Sequence, residues 1–205
     1  MGLIPLPSYP QAAERPVTSR LIIPPDFTPG VYAVRLQNDQ AYAWIPFVVR
    51  PRIPGSTSRI LVQLAVNTWQ AYNPYGGKSL YRSVVPGDPT RGYRVSFDRP
   101  YNFFSANDGS GDLFYWEAPF LRFLEQEGIP YEVCTSLDLH QNPHLLDPYK
   151  MFMSVGHDEY WTKEMYDAVE RYVDGGGNLA FFSGNVLWWQ VRFENNGRTM
   201  VCYKS

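Results

Sequence analysis

Tyr149-Lys150-Met151-Phe152-Met153-Ser154-Val155-Gly156-His157-Asp158-Glu159-Tyr160-Trp161 contains a change of texture at its centre. The residues through Val155 are apolar and too few for a helix, as a buried strand would be. Beyond them Trp161, Met165, Val169 and Val173 recur at every fourth position, and Ala168 and Tyr172 fill the same face, which predicts an amphipathic helix. A strand therefore passes into a helix through Gly156-His157-Asp158-Glu159. In open parallel sheets ligands gather beyond the carboxyl ends of the strands, so His157 and Glu159 fall on the expected functional rim. An imidazole beside a carboxylate suits proton transfer, although such a pair also serves simply to cap and solvate a loop.

The flanking sequence extends the same pattern. Ile60 to Val66 is an almost unbroken apolar run, as expected of a strand covered on both faces. Leu113, Trp116, Phe120, Leu121 and Leu124 form a helical stripe that Gly128 and Pro130 end. Tyr131 to Thr135 reads as the next strand, and Asn178 to Phe182 as another, after the glycines Gly175 to Gly177. The order strand, helix, strand, strand, helix, strand predicts a mainly parallel α/β sheet. Asn67 to Asp112 is a long connection rich in Gly, Pro, Asn and Tyr, within which Tyr93 to Phe97 reads as a strand of a small hairpin.

Residues up to Pro51 alternate instead. Val31 to Leu36 and Ala43 to Val49 are β-like runs joined at Asn38-Asp39, as in a hairpin of an antiparallel sandwich. Pro51 to Ser58 is a Pro, Gly and Ser linker. The division expected is a partial β-sandwich segment over residues 1–51, a linker over 52–58 and an α/β domain over 59–205. Too few strands precede the linker to complete a sandwich, and Val201-Cys202-Tyr203 resembles a strand at the chain's end, so the sequence reads as a fragment truncated at both ends.

With 44% hydrophobic and 16% aromatic residues among 205, the chain can bury a sizeable core. Its 18 Lys and Arg are scattered among 20 acids, a net charge of −2, without the basic patch of a nucleic-acid binder. Cys134 and Cys202 are too few for a disulfide scaffold and fit a reducing compartment. No stretch reaches the ~18 apolar residues of a membrane helix. Pro5, Pro7 and Pro10 interrupt any signal-peptide core, and a cytoplasmic location is the expectation.

Four strand ends feed the rim: Asn67 to Asn73, Ser136 to His140, the Gly156 to Trp161 turn, and Ser183-Gly184-Asn185. A carboxylate such as Glu159 and one or two tyrosine phenolates are donors for a hard, highly charged ion such as ferric iron, which would itself ionise a phenol; His157 is then left as a base. Zinc at His140 and His144 is the weaker metal reading, because Pro143 lies between them and no His-Glu-x-x-His surrounds them. Thiol catalysis by Cys134 with His157 and Glu159 is another alternative: the His-x-Glu spacing resembles the triad end of class I glutamine amidotransferases, yet Cys134 lacks flanking glycines and a following helix and reads as a core residue. Asp138 with Glu159 as a glycosidase acid and base is a further alternative, set by a separation that sequence does not give. A non-catalytic or carbohydrate-binding module on the same scaffold is the reading from another class. It predicts that Tyr72, His157 and Glu159 diverge.

The motifs NTWQAYN, FLRFLEQEGI, TSLDLH and GHDEYWTKEMYDAVERYVDGGGNLAFFSGN together resemble the C-terminal domain of the N,N-dimethylformamidase large (beta) subunit family. The resemblance runs from about Arg59 to the C-terminus, and Gly30 to Val49 resembles the end of that family's preceding β-sandwich. It implies a glutamine-amidotransferase-like α/β domain with one iron ion held by two tyrosines and a glutamate. Matched motif by motif, Glu159 is the glutamate ligand, Tyr72 one tyrosine ligand and His157 the catalytic histidine, with Thr68 and Asn185 lining the substrate pocket. For the second tyrosine Tyr115 is preferred, with Tyr75 and Tyr81 as alternatives. The resemblance further implies hydrolysis of a small amide, a small partner subunit and a homo-oligomer.

Overall fold

The computed structural model describes residues 20–101 and 109–204. The reading of Met1 to Pro10, and the start of the first segment, lie outside them. In chain order the elements are β1 Gly30–Gln37, β2 Tyr42–Val49, β3 Ile60–Leu64, α1 Val66–Tyr72, β4 Arg94–Ser96, a π-helical turn Leu113–Glu117, α2 Ala118–Gln126, β5 Glu132–Thr135 and α3 Ser136–Gln141. They continue with β6 Met151–His157, β7 Tyr160–Thr162, α4 Lys163–Asp174, β8 Asn178–Gly184, β9 Trp189–Glu194 and β10 Thr199–Val201.

The central sheet has the order β5-β3-β6-β8, with every pair parallel. Alternation along its strands divides the core. Leu61, Cys134 and Phe152 face α3 and α4, where Leu139, Met165, Ala168 and Tyr172 pack on them. Val62, Leu64, Val133 and Val155 face the other way, toward Leu113, Leu121 and Leu124. The inner strand β3 is covered on both sides, and its sequence is an almost continuous apolar run, whereas the edge strand β8 leaves Phe181 and Phe182 exposed.

The β1–β2 hairpin is antiparallel, pairing Gly30 with Val49 and Gln37 with Tyr42. Its turn is held by the Asn38 side chain, which accepts from the Gln40 and Ala41 amides. Val31 and Val48 pack onto the second of the two core layers. A third sheet, β4-β10-β9-β7, supports the long connection, with β7 and β9 parallel and the other pairs antiparallel.

Several elements differ from the sequence reading: Ser136–Gln141 is a helix, and Arg94–Ser96 pairs with Thr199–Val201 and not within a local hairpin. Trp161 belongs to β7, because Tyr160–Thr162 pairs with Trp189–Val191 before the helix begins. Thr162 then caps α4 by accepting from the Met165 amide. Val66 to Tyr72 is a helix and not open connection. It is buried almost all round, its polar residues Asn67, Thr68 and Gln70 included, so polarity in the sequence does not mark a solvent face.

The 52–58 segment is tied down by one carboxylate. Glu132, at the start of β5 and 1% exposed, accepts from the amides of Gly55, Thr57 and Ser58 and from the hydroxyls of Thr57 and Tyr149. Among the described residues, no helix is long and apolar enough to cross a membrane.

Candidate active site

The turn after β6 is built around Gly156. Its φ of +82° lies in the left-handed region, and a Cβ there would come 3.0 Å from Trp116 Cβ and 3.3 Å from Glu117 Cγ. Only glycine combines that conformation with so close an approach of the π-helical turn. Gly156→Ala is therefore expected to lose about 2 kcal/mol of stability in a urea titration and to weaken whatever His157 and Glu159 do together.

Beyond Gly156 the residues alternate as in a strand. His157 and Glu159 point to the rim, while Asp158 turns inward, where its Oδ2 accepts from Gln63 Nε2 and Ser154 Oγ, both at 2.7 Å. Burial pushes the Asp158 carboxyl up to about 6, against the pull of the Ser154, Trp161 and Gln63 hydrogen bonds. Asp158 thus anchors the two residues on either side of it. Glu159 is fixed further by its backbone N–H, which donates to Thr68 Oγ1 at 3.0 Å.

The Glu159 carboxylate is the meeting point. Its Oε2 accepts from the Tyr72 hydroxyl at 2.8 Å and lies 3.2 Å from His157 Nε2, while its Oε1 accepts from the Tyr81 hydroxyl at 2.5 Å. Tyr72 and Tyr81 stack with ring centroids 4.1 Å apart, and Tyr160 donates to the Tyr81 oxygen at 2.6 Å. Burial raises the Glu159 pKa, but hydrogen bonds from His157, Tyr81 and Tyr72 outweigh it and hold the carboxyl below its ordinary range. At His157 burial works against the charge, and the bond to Glu159 overcomes it, so the imidazole is shifted upward. When His157 is protonated the two make an ion pair in a mostly buried setting.

His157 Nε2 also lies 3.3 Å from Asn185 Nδ2. A proton on Nε2 gives the carboxylate a donor, and its loss gives the Asn185 N–H an acceptor. The two neighbours thus favour opposite protonation states of one nitrogen, as a group that takes and returns a proton requires.

Burial together with the hydrogen bonds to one carboxylate drives the phenols of Tyr72 and Tyr81 well above their ordinary range. Left to themselves they stay protonated. Two phenols and a carboxylate are hard oxygen donors whose fully ionised charge is minus three, which matches a ferric ion. Among the described residues, no group of three or more His, Cys, Asp or Glu side chains is arranged to hold a metal, and the cluster fits an ion only through its phenols.

Tyr115, the preferred second tyrosine, is not brought to this cluster. It is 55% exposed on the π-helical turn, whose register turns it outward while Leu113 and Glu117 are buried. Tyr81 stands at Glu159 instead, and Tyr75 is exposed. Lys204 also reaches the cluster. Its Nζ lies 3.2 Å from the centre of the Tyr81 ring, and burial lowers its pKa to about 8 against the attraction of Glu159. A lone lysine far along the chain carries no local signal, and only the pairing of β10 with β4 and β9 delivers it.

The rival constellations come apart. Asp138 closes the capping box of α3 with Thr135 and pairs with Arg50 at 2.7 Å. Cys134 is fully buried, and burial raises its thiol pKa. His140 Nδ1 sits 2.9 Å from Thr162 Oγ1, whereas His144 is exposed beside Asp147. Trp69 and Trp161 belong to the core, and Trp188 is 69% exposed.

A family model described as N,N-dimethylformamidase beta subunit-like, C-terminal, matches residues 13–205. The chain belongs to that family. It is 26% identical to the N,N-dimethylformamidase beta subunit of Alcaligenes sp. over 82% of its own length, and 25% identical to that of Paracoccus aminophilus over 83%. In both cases it spans 27% of the relative's length. Within this member of the dimethylformamidase beta subunit-like family, the matched region includes every residue of the Glu159 cluster.

Proposed function

We propose that this chain carries the catalytic centre of an iron-dependent hydrolase of small amides. The observation behind the reading is the convergence of two phenols and an imidazole on the single carboxylate of Glu159. Tyr72, Tyr81 and Glu159 would hold the iron. Bound there, the ion would supply Lewis acidity that polarises an amide carbonyl. His157 takes a proton from the attacking water and later delivers it to the nitrogen of the departing amine. Glu159 and Asn185 steady the imidazole in its two protonation states. Thr68 keeps the Glu159 backbone in place, and Asn185 lines the substrate side.

The four parallel strands, with polar residues at their carboxyl ends, support a glutamine-amidotransferase-like domain over residues 59–205, joined by the 52–58 linker to the sandwich segment of 1–51. The relatives are named as beta subunits, and we extend that to a small partner subunit and a homo-oligomer here. A cytoplasmic location accords with two unpaired, buried cysteines.

The test is metal analysis with visible absorption spectroscopy. The protein should contain iron and show a phenolate-to-iron charge-transfer band. Tyr81→Phe should shift or bleach that band, and Tyr115→Phe should leave it in place. An iron-free, colourless and active protein would reject the proposal.

A further inference from the structure

We infer that Arg99 is the positioning residue that presents Tyr81 to the Glu159 carboxylate, an inference that rests on the reading of Tyr81 as part of the site. The chain between the two phenols, residues 73–80, has no regular structure and yet must return Tyr81 to within stacking distance of Tyr72. Gly76 and Gly77, with φ of +85° and +113°, let it double back. Backbone bonds within the loop close it locally, and one guanidinium ties it to the elements on either side. Arg99 donates from Nη1 to the carbonyls of Tyr75 and Lys78, at 2.8 and 2.9 Å. From Nη2 it donates to the carbonyl and side-chain oxygens of Gln70, at 3.1 and 2.6 Å, and from Nε to the Ser96 carbonyl at 3.1 Å.

These acceptors lie on three separate pieces: Gln70 on α1, which carries Tyr72; Tyr75 and Lys78 on the loop that leads to Tyr81; and Ser96 at the end of β4. Arg99 thus fixes the loop relative to both the helix and the third sheet. The same sheet brings Lys204 over the outer face of Tyr81 through β10. The closing bonds of the loop, Leu80 N–H to Ala71 at 2.9 Å and Gly92 N–H to Ser79 at 2.8 Å, depend on this arrangement. A lysine carries one ammonium in place of a planar fork and cannot reach acceptors spread over three segments.

The experiment compares Arg99→Met and Arg99→Lys in the full chain. Amide hydrogen exchange is read on metal-free protein, and iron affinity is measured separately. Both variants should speed exchange at Leu80 and Gly92 by about tenfold or more while α1 and β6 keep their protection. Iron affinity should fall by about 10- to 100-fold, the range for residues that orient ligands. Unchanged exchange at Leu80 and Gly92, a uniform rise over the whole chain, or wild-type behaviour of Arg99→Lys would overturn the inference. If Arg99→Met does not fold, Arg99→Lys is read alone. Failure of both to fold would assign Arg99 to the fold at large and overturn the inference as well. An iron-free wild type would remove the metal reading but leave the exchange result standing.

Discussion

Glu159→Ala should leave the protein without iron, without a charge-transfer band and with activity down by about three powers of ten. Losses of that size follow when an active site loses its main electrostatic stabiliser. Glu159 touches both phenols and the imidazole, so its removal strips Tyr72, Tyr81 and His157 of a common partner. The phenols, already driven far above their ordinary range by burial and hydrogen bonding, would have no second anionic donor beside them to attract a cation. Glu159→Gln tests the electrostatic half of the argument. It keeps an acceptor but loses the charge, so the His157 pKa, raised in the parent by that carboxylate, should fall, since burial then dominates. Histidine ring signals followed by NMR would report the change. A Glu159→Ala protein that retains iron and colour would show that the ion, if bound, sits elsewhere.

The second large effect concerns stability. Glu132→Ala is expected to lose about 4 kcal/mol and to lower the melting temperature by about 10 °C, because it orphans the amides of Gly55, Thr57 and Ser58 together with two hydroxyls. Burial raises the Glu132 pKa, but the Tyr149, Thr57 and Gly55 hydrogen bonds prevail and bring it below its ordinary 4.5. A carboxyl with a depressed folded pKa contributes stability that is complete above the unfolded value and is lost as pH falls through the folded one. Wild-type stability should therefore decline below about pH 4.5, where Glu132→Gln, already weaker at neutral pH, declines less steeply. Urea titrations at pH 7, 4.5 and 3 would measure both slopes, and parallel slopes would contradict the assignment.

The inner strands of the central sheet were legible because burial on both faces writes a nearly unbroken apolar run, as at Ile60 to Leu64, where Gln63 is the one polar residue. The α4 stripe was legible because one side of the helix meets solvent. Of the candidate site, Glu159, His157 and Tyr72 lie in motifs with a local signature. Tyr81 does not, since its position depends on hydrogen bonds between segments far apart, chiefly those of Arg99, and no periodicity records such bonds. Tyr115 stands just ahead of a helix, but it lies on the π-helical turn with its side chain exposed. α1 escaped notice because Asn67, Thr68 and Gln70 are polar and yet fully buried, which inverts the usual relation between polarity and exposure.

Gly156 to Glu159 ends β6 of one sheet and leads, without any intervening helix, into β7 of another. The chemistry therefore straddles a seam. A slip of one sheet against the other, too slight to disturb either core, would be transmitted directly to the gap between His157 and Glu159, which makes this short turn a gauge of how firmly the two halves of the molecule are sewn together.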